Sequence, residues 1–173
     1  MGSAKVPGSA REATLVRMMQ CYGDQLAGLC TALLGDHMLA QDVVQETFIR
    51  AYKHMDSLRG ENEKSEKAWL TRIAVNLCRD QQRSRWFRFI DRNTSYDMLP
   101  EQAAQTADPD HELYHAVMQL SPKYREVILL HYYQDMDAAE IAASLRISLS
   151  SVYRRLEKAR QKLKDQLERW DNA

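Results

Sequence analysis

Apolar residues recur at helical spacing from Ala13 to Leu34, where Leu15, Met18, Met19, Tyr22, Leu26, Leu29 and Leu33 share a face. Gly35-Asp36 breaks that pattern. A second helix is predicted from about Met38 to Met55, with Val43, Val44, Phe48, Ile49 and Tyr52 as its apolar stripe. The polar run from Ser57 to Ser65, which contains Gly60, reads as a loop. A third helix follows from about Glu66 to Trp86 and turns Trp69, Leu70, Ile73, Ala74 and Leu77 inward. Three helices with short connections make a compact bundle.

Between roughly Asp91 and Asp110 the periodicity disappears, and Asn93, Thr94, Ser95, Pro100, Gln102, Gln105, Thr106 and Pro109 give the composition of a linker. Beyond it the punctuation is sharp. A short helix resumes at about Asp110, with Leu113, Val117 and Leu120 on one face. Ser121-Pro122 supplies an N-cap followed by proline at the first helical position, opening a helix to about Tyr133. Asp137 and Glu140 have the spacing of a capping box and start another helix that ends at Leu145. Arg146-Ile147 makes a tight turn, and Ser148 caps a long final helix to about Arg169. Short helix, tight turn and long polar helix is a helix-turn-helix pattern.

The expectation is therefore an all-α chain of two small helical modules, an N-terminal helical bundle and a C-terminal helix-turn-helix bundle, joined by a flexible linker. The expected boundaries are a disordered tail over 1–10, a first module over 11–90, the linker over 91–109 and a second module over 110–173. At 173 residues the chain is long enough for two such cores.

Charge sharpens this picture by its placement rather than its total. Lys and Arg number 24, as do Asp and Glu, so the formal net charge is zero. Yet the stretch from Arg79 to Arg92 holds five arginines (79, 83, 85, 88 and 92) against Asp80 and Asp91. From Arg146 to Arg169 eight bases face only Glu157, Asp165 and Glu168. From Asn93 to Leu120, by contrast, there are five acids and no Lys or Arg. Two basic segments, one closing each module, can release condensed counterions from a nucleic-acid backbone and supply salt-sensitive affinity. The bland alternative is a solvated helix face whose bases complement the C-terminal end of the helix dipole. The helix-turn-helix punctuation weighs against it for the second segment and less for the first.

Chemistry of other kinds is not expected. There is no glycine-rich phosphate loop, nucleophile elbow or HExxH motif, so no catalysis and no cofactor are anticipated. His37, His54, His111, His115 and His131 are scattered and form no metal-ligand pair with a cysteine. Cys21, Cys30 and Cys78 read as buried small apolar side chains in a reducing compartment rather than a disulfide framework. The first ten residues lack the apolar core of a signal peptide, and the longest apolar run, around Val127 to Leu130, is far too short to span a bilayer. A cytoplasmic location is expected.

The run Ala40-Gln41-Asp42-Val43-Val44-Gln45-Glu46-Thr47-Phe48-Ile49-Arg50-Ala51-Tyr52 resembles the polymerase-binding helix of the extracytoplasmic-function group (group IV) of RNA polymerase sigma factors. Trp69-Leu70-Thr71-Arg72-Ile73-Ala74-Val75-Asn76 resembles the promoter-melting helix that follows it in that family. Leu120-Ser121-Pro122-Lys123-Tyr124-Arg125-Glu126-Val127, Ala139-Glu140-Ile141-Ala142 and the run Ser151 to Arg160 look like its C-terminal module. The motifs occur in the family's order and span about Thr14 to Leu167.

The resemblance implies a transcription initiation factor that binds core RNA polymerase and directs promoter recognition and melting, in an envelope or external stress response. Asp42, Gln45, Glu46 and Arg50 would meet a coiled-coil clamp on the large polymerase subunit. Asn76 would sit near a flipped base of the minus-ten element, with Arg72, Arg79, Arg83 and Arg85 on phosphates and the loop Ser57 to Ser65 helping to form the pocket. Trp69 could stack on a base but lies on an apolar stripe, where it belongs to the core. Ser150, Ser151, Tyr153, Arg154, Glu157 and Lys158 would face the major groove at the minus-thirty-five element. Here Ser150-Ser151-Val152-Tyr153 departs from the family's usual Gly-Thr-Val followed by a base, so the resemblance does not give the sequence read. It also implies a regulator, usually a membrane-anchored anti-sigma protein, and no small-molecule substrate.

Two other readings compete. One is a helix-turn-helix transcriptional regulator with an N-terminal dimerisation or sensing bundle; the other is a helical adaptor that binds no DNA. A dimerising second helix should present an apolar face, whereas Asp42, Gln45, Glu46 and Arg50 make this one polar. The basic, capped final helix argues against the adaptor.

Overall fold

The computed structural model describes residues 8–58, 62–92 and 109–171, with side chains over 10–58, 62–84 and 112–169. The chain divides into two units, Met1–Arg85 and Trp86–Ala173. Within the described residues both units are helical and contain no strand. Of the linker expected over 91–109, residues 93–108 lie outside the described residues, whereas 91–92 still belong to the third helix and 109 opens the next. Of the tail expected over 1–10, residues 1–7 lie outside the described residues and 8–10 are already helical.

Three helices build the first unit. The first, α1, spans Gly8–Leu34 and begins earlier than its apolar periodicity does. Gly35 ends it in the left-handed region at φ 66, its N–H donating to the Thr31 carbonyl at 2.8 Å. Asp36 then caps α2, His37–Lys53, by accepting from the Leu39 N–H at 3.0 Å. Arg50 and Lys53 complete the charge pattern of α2 in its last turn.

A single 3-10 turn, Met55–Ser57, follows α2. The third helix, α3, covers Glu63–Arg92 and is capped by Asn62, whose side-chain oxygen accepts from the Ser65 N–H at 2.8 Å. The expected loop therefore shrinks at both ends: Ser57 closes the 3-10 turn, and Glu63 to Ser65 join α3. Glu63 and Glu66 favour that start because their charge complements the helix dipole.

The core of this unit combines Met18, Leu26 and Leu29 of α1, Val43 and Phe48 of α2, and Leu70, Val75 and Leu77 of α3. Cys30 and Cys78 are buried as expected, but Cys21 is exposed. At about 100° per residue, position 21 falls off the stripe carrying Met18, Leu29 and Leu33. Ile49, expected in the apolar stripe of α2, is 48% exposed. It lies about half a turn around the helix from Ala40, Val43, Thr47 and Ala51, four of the five residues that α2 buries; the fifth, Phe48, stands at the edge of that stripe.

In the second unit, α4 (Pro109–Gln119), α5 (Pro122–Ile128) and α6 (Ala138–Leu145) all pack on the long α7 (Leu149–Asp171). Proline stands at the first position of α5 behind Ser121, whose extended backbone places it as the N-cap; the hydroxyl makes no capping bond. After Ile128 the helix widens into a π segment, Leu129–Tyr133, in which the Gln134 N–H reaches back to the Leu129 carbonyl at 3.0 Å. The predicted capping box is formed in full: Asp137 accepts from the Glu140 N–H at 2.9 Å and Glu140 accepts from the Asp137 N–H at 2.8 Å. Leu113 is 47% exposed, and the first position that α4 buries is Ala116, one turn later.

Candidate nucleic-acid interface

Three exposed polar faces stand on the helices singled out above, each about half a turn from a buried stripe. The first is on α2. Asp42, Gln45 and Arg50 are exposed and Glu46 is half-buried. The Arg50 Nε donates to Glu46 Oε1 at 2.8 Å, one helical turn away. Ile49 emerges between them, and Met38, 71% exposed, continues the face toward the start of the helix. The face is thus polar with apolar residues set into it.

The second face is on α3. Leu70, Ala74 and Leu77 are buried, and Arg72, Asn76, Arg79 and Arg83 recur every three or four residues on the other side. Arg72 and Arg83 are exposed, whereas Asn76 and Arg79 are half-buried. Three guanidinium groups and one amide therefore line one ridge more than two turns long. Trp69 is half-buried, in keeping with a packing role at the edge of the core. The side chain of Arg85 lies outside the described residues.

The third face is on α7. Val152, Leu156 and Ala159 are buried at helical spacing against the rest of the unit. Ser150, Tyr153, Arg154, Glu157 and Lys158 are exposed and Ser151 is half-buried. Ser148 organises the start of this helix: its Oγ accepts from the Ser151 N–H at 3.2 Å and donates to Ser151 Oγ at 2.8 Å. Arg154 reaches back toward the same Ser151 hydroxyl at 3.4 Å. The turn before α7 is set by Arg146 in the left-handed region (φ 53, ψ 48), with the Ile147 N–H bonded to the Ala142 carbonyl at 3.1 Å.

Further side-chain contacts within each unit support these helices, and sequence patterning did not find them. Arg125 sends its guanidinium to the Met118 carbonyl and, at 3.0 Å, to the Leu120 carbonyl, closing the end of α4. Burial lowers its pKa from the ordinary arginine value. Arg160 donates to the Tyr132 hydroxyl at 2.8 Å and lies 5.6 Å from that ring's centroid, so this base of the final helix is already engaged. Lys123 and Lys162 flank the Tyr124 ring at 5.0 and 5.9 Å.

In the first unit Arg17 grips the buried Glu66 with two donors, the Nη1 bond measuring 2.9 Å. The Tyr22 hydroxyl stands 3.3 Å from Glu66 Oε2. The hydrogen bonds that Arg17 donates to Glu66 raise its pKa. Burial, reinforced by the Glu66 charge, raises that of Tyr22. Arg17 and Glu66 are 49 residues apart, so no local spacing rule could have paired them.

The family model for Sigma-70 region 2 matches residues 18–88, and that for Sigma-70 region 4 matches residues 110–163. The chain is 31% identical over 164 residues to the ECF RNA polymerase sigma factor SigW of Bacillus subtilis (strain 168), covering 87% of each chain. It is 37% identical over 161 residues to the ECF RNA polymerase sigma factor SigL of Mycobacterium tuberculosis (strain ATCC 25618 / H37Rv), covering 88% of this chain and 89% of that one. Among solved structures it is similar to the sigma factor RpoE of Bartonella quintana, crystallised with the anti-sigma factor NepR. The TM-score is 0.73 at 26% identity, over 88% of this chain and 95% of that one. CnrH, solved with the cytosolic domain of CnrY, shares the fold at a TM-score of 0.63 and 24% identity, over 91% and 89% of the two chains.

No helix among the described residues is long and apolar enough to cross a membrane. The alternative of a regulator with a dimerising or sensing bundle is not favoured, because the likeness to sigma factors runs in order through both units. With a capped helix that presents an exposed polar face in one unit, a basic ridge in the other and relatives matched along most of their length, the chain belongs to the extracytoplasmic-function family of RNA polymerase sigma factors and is a transcription initiation factor.

Proposed function

We propose that this sigma factor binds core RNA polymerase through the α2 face of Asp42, Gln45, Glu46 and Arg50, and divides promoter recognition between its two units. The domain limits that fit this are 11–90 for polymerase and minus-ten binding and 110–173 for minus-thirty-five binding, with 91–109 as linker. Ile49 joins the polymerase-binding face as an apolar centre among charges, the arrangement in which truncation usually costs most binding energy. On α3, Asn76 reads an extruded minus-ten base with an amide that donates and accepts. Arg72, Arg79, Arg83 and Arg85 hold the backbone of the separated strand.

On α7, Arg154 or Lys158 reads guanine, Glu157 accepts from cytosine, and Ser150, Ser151 and Tyr153 complete the surface in the major groove. The protein supplies recognition and strand separation and performs no catalysis itself; it acts in the cytoplasm. A partner that masks it, an anti-sigma protein, is supported by the complex in which RpoE of Bartonella quintana was solved.

The observation that carries this reading is the placement of all three faces opposite buried stripes, so that every one is open to a macromolecule. Run-off transcription with purified core polymerase on a randomised promoter library tests it. Specific transcripts from a single consensus are expected. Changing Glu46 and Arg50 to alanine together should weaken holoenzyme assembly by about tenfold or more, which corresponds to about 1.4 kcal/mol. Unaltered assembly and initiation by that double variant would remove α2 from the polymerase interface.

A further inference from the structure

α1 carries none of the candidate site residues, yet it makes ion pairs to both sides of the α2–α3 connection. Before the connection, Arg11 pairs with Asp56 in the 3-10 turn. After it, Arg17 pairs with Glu66 in the first turn of α3. Glu66 is only 8% exposed, and both its oxygens are taken by the Arg17 fork. Tyr22, one turn further along α1, approaches Glu66 Oε2 and the Glu63 carbonyl, each at 3.3 Å. Three α1 side chains thus hold the last turn before the connection and the first turn after it.

Stability alone is a weak account of this arrangement. A guanidinium that stays half-exposed gains little from its ion pair, and a carboxylate taken out of water at Glu66 carries a desolvation cost of its own. Position is the better account. Arg72 and Asn76 lie six and ten residues beyond Glu66, about 9 and 15 Å along a continuous helix. A tilt or rotation of the first turn of α3 is therefore transmitted to both, and groups that read a base lose their effect when displaced by about an ångström. The planar fork of Arg17 fixes the direction of approach as well as the distance, which a lysine would not do.

We infer that Arg17, with Tyr22 and Glu66, is a positioning device that sets the register of the minus-ten reading ridge of α3 against α1. Arg11 and Asp56 act in the same sense from the other side of the connection. This rests on the proposed role of α3 in reading the minus-ten element. It adds positioning residues, not DNA contacts, and places them on a helix to which promoter reading had assigned nothing.

The test uses the full chain assembled with core polymerase. Wild type, Arg17→Ala, Arg17→Lys, Glu66→Gln and Tyr22→Phe are compared on one parent promoter, on single-base variants of its minus-ten element and on single-base variants of its minus-thirty-five element. Opening is read by fluorescence of 2-aminopurine placed in the melted region. The quantity compared is the ratio of opening on parent and variant promoters. A variant that merely folds less well loses active holoenzyme on every template and leaves these ratios unchanged.

Discrimination within the minus-ten element is expected to fall about fivefold or more in Arg17→Ala, well inside the loss that small misplacements produce. Glu66→Gln and Tyr22→Phe should fall less, and Arg17→Lys should not restore the wild-type ratio. Discrimination at the minus-thirty-five element should stay at the wild-type ratio throughout. Unchanged minus-ten ratios in all four variants, or equal losses at both elements, would overturn the positioning role while leaving the proposed function intact. A wild-type protein that shows no minus-ten preference would overturn the role of α3 itself and the inference with it. If Arg17→Ala yields no soluble holoenzyme, Tyr22→Phe, which removes one hydroxyl, decides between these outcomes.

Discussion

Thr71 is fully buried on α3, and its hydroxyl has no hydrogen-bond partner. A buried polar group left unmatched costs about 1–3 kcal/mol relative to one that is satisfied. Valine has nearly the same shape without the hydroxyl, so Thr71→Val should leave stability unchanged or raise it by up to about 1 kcal/mol. Urea unfolding midpoints of the two proteins measure this directly, and a drop of similar size would mean that the hydroxyl is bonded in solution. Thr47 offers the contrast: equally buried, it donates to the Val43 carbonyl at 2.7 Å and is satisfied within its own helix. Residue type and burial are the same in the two cases, and only the local hydrogen-bond geometry separates them. Ile49 and Cys21 teach a related lesson. Both are apolar enough to be assigned to the core, and both project away from it because the helix period carries them past the buried stripe.

Among the elements, the α6–turn–α7 unit is the most completely punctuated part of the described chain. A capping box opens α6, a left-handed residue closes it, and Ser148 opens α7. The left-handed residue is Arg146, where glycine would be unstrained. Its side chain is exposed, so removing it leaves no cavity. Relief of the Cβ clash is worth about 1–2 kcal/mol, and the greater entropy of an unfolded glycine takes back about 0.5–1 kcal/mol. Arg146→Gly should therefore stabilise the protein slightly, visible as a higher thermal midpoint in circular dichroism. A lower midpoint would show that the Arg146 side chain makes a compensating contact. The π segment at Leu129–Tyr133 has no comparable signal in the sequence. Nothing about Leu-Leu-His-Tyr-Tyr requires one extra residue per turn; packing of the α5 end on α7 and the bonds into Gln134 and Met136 decide it.

Taken whole, the molecule has no net charge to attract DNA, so any sequence-independent affinity must come from its two basic segments separately. Arg83 and Arg154 are both exposed, one on each. Their roles should differ in kind. Arg83→Ala should weaken holoenzyme binding to all promoters alike and reduce the slope of log affinity against log salt by about 0.7–0.9. Arg154→Ala should relax preference at one position of the minus-thirty-five element by about 1–3 kcal/mol. Filter binding across a salt series on parent and variant promoters separates the two; the same response from both changes would refute the division between phosphate and base contacts.

The amino-acid sequence by itself determined most of the helices, the capping box at Asp137 and the Ser148 cap, the polar character of the α2 face and the helix-turn-helix of the second unit. These are local properties, written in the spacing of apolar residues and in a few turn-forming side chains, and they need no knowledge of what packs where. Only the tertiary structure decided that Glu66 is buried under Arg17, that Arg125 closes α4, that Arg160 is tied to Tyr132 and that Ile49 faces outward. Those pairings join residues distant in sequence or fix which side of a helix meets a neighbour. They depend on how helices pack, and a single helical period leaves that undetermined.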